Sequence, residues 1–248
     1  MTQSHRPAQV FLEQDESMGD SLVLWRYMDV AKFVSLLETQ SIWLARADTF
    51  RDRHEGRFPD GMSEWIRKAY DEFPDDDPSP VKDAEDFQDF LVKNTFISCW
   101  HKNPAENLVM WEIYGRDGNA VAIQTSAGRI VENSDTSKLC GHSLIFRPVQ
   151  YRDPREIQGV LPYEECFFYK RPHFAFEEEV RISFDTYSPF RPTKDTPFGH
   201  KLPVFLNGLI ESILVHPDSS GWFVDVVEGI AKRYEVHAPV VRGNFGNS

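Results

Sequence analysis

The sequence predicts a single α+β domain whose mixed, mostly antiparallel central sheet is flanked by helices. Three observations favour this class. Apolar runs of strand length alternate with segments of helical periodicity throughout. No internal repeat or long linker divides the 248 residues. A composition of 41% hydrophobic and 13% aromatic residues is enough for a large core.

The first 20 residues are polar, lack periodicity and contain Gly19-Asp20, so we expect a flexible N-terminal arm over 1–20 and the domain over 21–248. Residues 22–28 predict the first strand. Asp29 is a candidate N-cap for a helix with Phe33, Leu36 and Leu37 at helical spacing. Residues 42–45 predict the second strand.

Between about 51 and 92 the pattern predicts a helical and acidic insertion. A charged loop over 51–56 precedes a short helix over 63–70. The acidic block over 71–89 is expected to be a solvated surface, and it overlaps a helix predicted over 83–92.

Regular structure then returns. The pattern predicts a strand over 95–100, a helix over 107–114 and a strand over 120–125. Strands follow at 144–146 and 148–151, then a short helix near 163–169 and a strand at 179–184. Proline-rich turns come next. The chain closes with strands at 208–216 and 238–242 flanking a helix over 221–234.

Composition narrows the function classes. Three widely spaced cysteines, Cys99, Cys140 and Cys166, without a C-x-x-C pair, favour neither a disulfide framework nor a structural zinc site. No apolar stretch approaches the ~20 residues of a membrane span, so a cytoplasmic protein is expected. A net charge of −12 disfavours general coating of nucleic acid.

Two carboxylates stand near the start of a predicted strand, within Lys170-Arg171-Pro172-His173-Phe174-Ala175-Phe176-Glu177-Glu178-Glu179-Val180-Arg181-Ile182. Strand periodicity points Glu177 and Glu179 to one face. Such a pair can orient a sugar hydroxyl and stabilise an oxocarbenium-like transition state. The alternative is a solvated turn with a Glu179–Arg181 surface pair.

Arg26 lies between Trp25 and Tyr27 in an otherwise apolar strand. An unpaired guanidinium is costly to bury, so Arg26 needs a partner. That partner is either a carboxylate of the chain or a ligand phosphate or carboxylate.

The strand over 95–100 offers further candidates. Ser98 could hydrogen-bond a ligand, and alternation places it on the same face as Trp100. Cys99 is expected in the core, because no nucleophile elbow supports a catalytic thiol or hydroxyl. His101 could line a pocket, although a hydrogen-bonded loop histidine is the alternative.

Other patterns are weaker. Asp48, Asp52, His54 and Glu55 are metal-ligand residue types close in sequence, but no ligand spacing such as H-E-x-x-H is present. Met110, Trp111 and Tyr114 either pack the core or form an aromatic wall for a base or nicotinamide ring. The absence of Walker A and Gly-x-Gly-x-x-Gly motifs argues against a P-loop or Rossmann enzyme.

A set of spaced segments resembles an uncharacterised, mainly bacterial family, domain of unknown function 2971. The likeness covers about 22–241 and implies no activity. The segments are Leu24-Trp25-Arg26-Tyr27-Met28-Asp29, Leu44-Ala45-Arg46-Ala47-Asp48-Thr49-Phe50, Phe96-Ile97-Ser98-Cys99-Trp100, Met110-Trp111-Glu112-Ile113-Tyr114 and 174–181.

The chain also resembles, more remotely, the ADP-ribosyltransferase fold, with Arg26 on the first strand, Ser98 on a central strand and a Glu-x-Glu before a later one. The resemblance implies that Arg26 holds the NAD diphosphate or ribose and that Ser98 fixes the nicotinamide ribose. Glu179 would bind the ribose hydroxyl and stabilise the cation formed as nicotinamide leaves, and Glu177 would orient the acceptor. Three aromatic residues are expected to line the cofactor site: Tyr27, Trp100 and Tyr114.

The resulting expectation is an NAD-using transferase or glycohydrolase without a metal, with the role of an intracellular toxin or antiphage effector that modifies protein or nucleic acid. Two alternatives stay open. One is a metal-dependent phosphodiesterase or nuclease using Asp48, Asp52, His54 and Glu55. The other is a noncatalytic module that senses a nucleotide or contacts a partner protein.

Overall fold

A computed structural model describes residues 8–52, 56–72, 83–115, 118–157, 159, 161–187 and 196–245. The strands are β1 Ala8–Gln9, β2 Glu13–Gln14, β3 Val23–Asp29, β4 Ser41–Arg46, β5 Thr95–Lys102, β6 Ala120–Ser126, β7 Cys140–Gly141, β8 Ser143–Pro148, β9 Gln150–Tyr151, β10 Tyr169–Lys170, β11 Glu179–Asp185, β12 Gly199–Pro203, β13 Ser212–Val215 and β14 Val240–Arg242. The α-helices are α1 Val30–Thr39, α2 Asp60–Glu72, α3 Ala84–Asn94, α4 Leu108–Tyr114, α5 Ala127–Glu132, α6 Leu206–Leu209 and α7 Gly221–Arg233. Short 3₁₀ turns lie at Ala47–Thr49, Pro154–Glu156, Tyr163–Phe168 and Pro172–Glu177.

Ten strands form the central sheet, and the predicted α+β class is confirmed. Eight follow the order β14-β13-β6-β3-β5-β11-β8-β2, while β4 pairs with β5 and carries β12 on its other edge. The ladders are antiparallel except β13–β14 and β2–β8. None of the helices in the described part of the chain has the length and apolarity that a bilayer crossing requires.

The sheet opens along one edge of β5. Near the C-terminal end of β5, β3 pairs with it at only two positions, Leu24↔Lys102 and Trp25↔His101. Near the other end, β4 pairs with it at Ala45↔Ile97 and Arg46↔Phe96. The segment 98–100 falls between these two ladders. β3 and β4 therefore diverge where this segment lies.

Hydrophobic cores cover both faces of the sheet. On one face α1, α5 and α7 pack on a large core that includes Phe33, Ile130 and Phe223. The other face carries two smaller clusters. One joins α2 and α3 to the turn over 163–168, and the other joins α4 to β3 and β6. A space remains between the two smaller clusters, at the place where β3 and β4 diverge.

Local signals account for the opening elements. The Asp29 side chain accepts from the Lys32 backbone N–H at 2.8 Å, so it caps α1 as predicted. Gln40 ends the helix in the left-handed region, with φ of 44°, and β4 starts at the next residue. This tight β3–α1–β4 unit fixes Arg26 relative to the strand opening.

Three segments differ from expectation. In residues 8–20, β2 pairs with β8 of the central sheet, β1 pairs with β7 in a separate two-stranded sheet, and Val10 and Met18 are buried. The sequence did not indicate this packing because isolated apolar residues give no periodic signal of burial. The strand expected at 208–216 is divided into α6 and β13. β12 was not predicted, since its mixed sequence resembles the turns around it.

Candidate functional site

A cavity of about 860 Å³ lies between the two smaller clusters, at the opening of the sheet. This is within the ~300–1,000 Å³ of small-molecule sites. Six of the seven residues predicted from sequence line it, drawn from β3, β5, α4 and the segment entering β11: Arg26, Tyr27, Trp100, Tyr114, Glu177 and Glu179. The tertiary structure thus gathers residues that are up to 153 positions apart in sequence.

The strand register places the β3 side of this cavity close to the start of β11. Trp25, His101 and Glu179 are direct neighbours across β3, β5 and β11. Adjacent strands lie about 4.8 Å apart, so the backbones of Trp25 and Glu179 are about 10 Å apart. Arg26 is the next residue along β3.

Arg26 is partly buried at the wall of the cavity, and burial lowers the pKa of its guanidinium. Its Nη2 donates to the Trp43 carbonyl at 3.2 Å, and its Cζ lies 5.4 Å from the Trp100 ring centroid. No carboxylate of the described residues forms an ion pair with it. The chain therefore supplies Arg26 with one carbonyl and one aromatic face, and an anion in the cavity would complete its pairing.

Ser98 does not line the cavity. Its side chain is 1% exposed, and its Oγ has no hydrogen-bond partner in the described structure. Alternation along β5 gives it the face of Phe96 and Trp100, which belong to the large core. The larger side chain of Trp100 lines the cavity, whereas the short, buried side chain of Ser98 does not.

Glu177 and Glu179 do meet, although not by strand periodicity. Glu177 ends a 3₁₀ turn, Glu178 takes a left-handed conformation with φ of 39°, and Glu179 begins β11. Lys170 joins them, because its Nζ donates to Glu177 Oε2 and, at 3.1 Å, to Glu179 Oε2.

Glu179 is also held by Arg181, through Nε to Oε1 at 2.7 Å and Nη2 to Oε2 at 3.0 Å. Arg181 is 0% and Glu179 4% exposed, so the surface pair considered from sequence is instead a buried bidentate pair. Burial alone would raise the pKa of Glu179, but Arg181 and then Lys170 outweigh it and lower the pKa. Glu179 is ionised at neutral pH.

His101 and Cys99 complete this side of the cavity. His101 Nδ1 lies 2.6 Å from the Glu177 carbonyl, so Nδ1 carries the hydrogen. Burial lowers the pKa of His101 more than the Glu177 carbonyl and Glu178 raise it, which keeps the ring neutral. Cys99, expected in the core, is only partly buried, lines the cavity and hydrogen-bonds Glu179.

The three α4 residues considered from sequence take different roles. Trp111 is 0% exposed and packs with β3, whereas Met110, 7% exposed, packs in the same cluster and also lines the cavity. Tyr114 is 45% exposed and lines the cavity, 6.5 Å from Tyr27 in a stacked arrangement. Much of the cavity wall is aromatic and offers faces on which a planar ring can stack. The aromatic lining residues are Trp25, Tyr27, Phe50, Trp100, Tyr114, Phe174 and Phe176.

Sequence reasoning did not select Lys170 or Arg171, and it considered Asp52 only as a metal ligand. The first two lie in the quoted segment 170–182, but nothing in their spacing indicates that they fold back on the carboxylates. Arg171 Nη2 contacts Asp52 Oδ2 at 3.0 Å. Among the described lining residues, four Lys and Arg face three Asp and Glu, which gives a net positive cavity in a chain of charge −12.

The metal alternative has little geometric support. Asp48 is hydrogen-bonded to Arg46 at 2.7 Å, and Asp52 is paired with Arg171. His54 and Glu55 lie outside the described residues. Within the described ranges, no cluster of three His, Cys, Asp or Glu side chains is placed to hold a metal ion.

Comparisons with known proteins give structural likeness only. No family model matches the chain, so the resemblance to domain of unknown function 2971 stays a prediction. No curated protein matches either. The chain is similar to DarT. The DarT structures from Thermus sp. 2.9 are complexes with ADP-ribosylated ssDNA, with carba-NAD⁺ and with NAD⁺.

Each match is 12% identical and covers 92% of this chain and 96%, 97% and 98% of the DarT chains, at TM-scores of 0.41, 0.40 and 0.39. TM-scores at this level do not establish function. The proposals that follow rest on the geometry of the cavity.

Proposed function

We propose that the cavity binds NAD as a substrate and transfers its ADP-ribose group to an acceptor or to water. The observation that carries the proposal is the presence, in one cavity, of a guanidinium that pairs with no carboxylate of the described residues and a pair of ionisable carboxylates. Arg26 is suited to a diphosphate, and Glu177 and Glu179 are suited to a cationic sugar. NAD carries both groups.

Charge and shape agree with this ligand. The diphosphate of NAD is anionic and its nicotinamide ring is cationic, while the described lining is net positive with carboxylates at one end. Tyr27, Trp100 and Tyr114 offer aromatic faces for the adenine or nicotinamide ring. Trp25, the neighbour of Arg26 on β3, and Glu179 lie at opposite ends of a strand row about 10 Å long, a span suited to a diphosphate and the adjoining ribose.

In the proposed reaction the bond between the ribose C1′ and the nicotinamide nitrogen breaks, and its electron pair neutralises the ring. Glu179 hydrogen-bonds a ribose hydroxyl and stabilises the cationic sugar as it forms. The acceptor then bonds to C1′, and its proton passes to Glu177, the more exposed of the two carboxylates at 23%. The acceptor is a protein, a nucleic acid or water.

The test measures nicotinamide release from NAD, alone and with protein or nucleic-acid acceptors, beside calorimetric binding of NAD. We expect release by the wild type and a loss of about 10²–10³-fold in Glu179→Gln. This change also breaks a buried ion pair, which costs about 3–5 kcal/mol of stability. Glu177→Gln is therefore measured as well, because its side chain is less buried.

Glu165→Gln is the matched control. Glu165 is also paired with an arginine, Arg147 at 2.7 Å, and is 22% exposed, but it does not line the cavity. It should keep full release. Binding of NAD without release would support the noncatalytic sensing module instead, and neither binding nor release would exclude both readings. Release that stops on chelation would favour metal-dependent chemistry.

A further inference from the structure

Lys170 is placed to control both carboxylates of the cavity. It is 9% exposed, and its Nζ contacts Glu177 Oε2 and Glu179 Oε2. Two oxygens bonded to one nitrogen lie within about 6 Å of each other. At this separation two carboxylates repel, and without a shared cation the pKa of one rises.

The position of Lys170 is fixed by more than its charge. It belongs to β10, which pairs with β9 so that Lys170 lies opposite Tyr151. Its carbonyl accepts from the Arg152 N–H at 3.0 Å, and its Nζ lies 4.8 Å from the Phe174 ring centroid. The Tyr151 hydroxyl in turn accepts from the Glu179 N–H at 2.7 Å. The β9–β10 pair thus carries the ammonium to the start of β11.

Lys170 and Arg181 differ in the carboxylates that they contact. Arg181 forms the bidentate pair with Glu179 beneath the cavity and is not among its lining residues. Lys170 lines the cavity and reaches the carboxylate of the 3₁₀ turn as well as that of the strand. It is therefore the cation that links Glu177 to the fixed Arg181–Glu179 pair.

From these contacts we infer that Lys170 is a positioning residue, which holds Glu177 and Glu179 side by side and ionised for attack at the ribose carbon. This inference rests on the proposed function. Lys170 makes no bond to the reacting atoms in this role. Its removal changes the ionisation and spacing of the carboxylates rather than the affinity for NAD.

Other charged or titratable groups surround the carboxylates and are left unchanged in the test. They come from β5, α4, β9 and the neighbouring turns: Cys99, His101, Tyr114, Tyr151, Arg171, Glu178 and Arg181. A change seen on replacing Lys170 alone is then attributable to the loss of its ammonium group.

The experiment compares Lys170→Met and Lys170→Arg with the wild type in nicotinamide release between pH 4 and 9. For Lys170→Met we expect kcat to fall at least about tenfold with KM for NAD little changed, and the acid limb of the profile to move to higher pH. The sign follows because the carboxylates lose a cation and ionise at higher pH. Lys170→Arg should restore most of the rate and the wild-type acid limb.

Lys68→Met is the matched control, since Lys68 pairs with Glu64 at 3.0 Å on the exposed face of α2. It should match the wild type throughout. Thermal melting identifies any variant that fails to fold; in that case Lys170→Gln, which keeps a donor but not the charge, takes the place of Lys170→Met.

Each outcome decides the inference. A lost rate with an unmoved acid limb, or an unchanged rate, overturns it while leaving the proposed function intact. If the wild type releases no nicotinamide, the proposed function fails and the inference falls with it. A shifted acid limb that Lys170→Arg returns to the wild-type position supports both.

Discussion

Replacement of Arg26 by methionine should separate ligand binding from stability. Arg26 lines the cavity without a carboxylate partner among the described residues, so Arg26→Met removes one hydrogen bond to the Trp43 carbonyl and one contact with the Trp100 ring. It also removes the cost of desolvating a charge. These effects oppose each other, and we expect the free energy of unfolding to change by less than about 1 kcal/mol.

Arg26→Met should weaken NAD binding by much more than it changes stability. A hydrogen bond to a charged group contributes about 1.5–3 kcal/mol. Loss of the guanidinium should therefore raise the Kd of NAD by about 10- to 150-fold. Calorimetric titration measures the Kd, and denaturation in urea measures the stability of the same samples.

Arg46→Met is the matched control. Arg46 holds Asp48 through two bonds, at 2.7 and 3.0 Å, and donates to the Thr196 carbonyl at 2.9 Å. It does not line the cavity, so the control should lose about 1–3 kcal/mol of stability and keep the wild-type Kd. The reasoning is refuted if Arg26→Met loses as much stability as Arg46→Met while NAD binds as before.

Two further predictions concern the frame of the site. Burial raises the pKa of Asp185 from 3.8 to about 6, so the folded state should lose about 3 kcal/mol relative to the unfolded chain as pH rises from about 4 through about 6. Asp185→Asn should remove this loss in urea denaturation across that range; parallel wild-type and variant curves would refute the assignment. A Cβ at Gly141 would lie 2.5 Å from the Asp185 carbonyl oxygen. Gly141→Ala should therefore lower stability by about 1–3 kcal/mol, whereas Gly61→Ala, in open space on α2, should not; equal melting temperatures for the two variants would contradict this.

Much of the fold follows from local pattern. The Asp29 cap, the apolar residues of α1 and the short apolar runs predict β3, α1, β4, β5 and β11 within a few residues, because such signals are carried by neighbouring positions. The packing of residues 8–20, among which Val10 and Met18 are buried, and strand β12 could not be predicted this way. They are ordered by pairing with the distant strands β7, β8 and β4. Such pairing produces no periodic pattern of apolar residues in the local sequence.

The candidate site also has features that the sequence predicts and features that only the tertiary structure reveals. An arginine among apolar residues and an acidic pair before a strand are visible in sequence, because a charge in such a context demands a partner. Whether Ser98 reaches the cavity depends on which face of β5 borders the opening of the sheet. Alternation assigns residues to two faces but does not indicate which face borders the opening. The tertiary structure buries Ser98 away from the cavity and brings Cys99 and His101 to it.

The sequence by itself determined the fold class, most of the elements and the residue types of the site, since these depend on hydrophobic periodicity and on the cost of burying charge. Only the tertiary structure decided which side chains of the site lie next to one another. Lys170 contacts carboxylates seven and nine positions away because the 3₁₀ turn and the left-handed Glu178 fold the chain back. Arg26 lines the same cavity as these carboxylates because β3 and β11 flank β5. Both arrangements depend on chain reversals and strand order, which are settled by packing across the whole sheet.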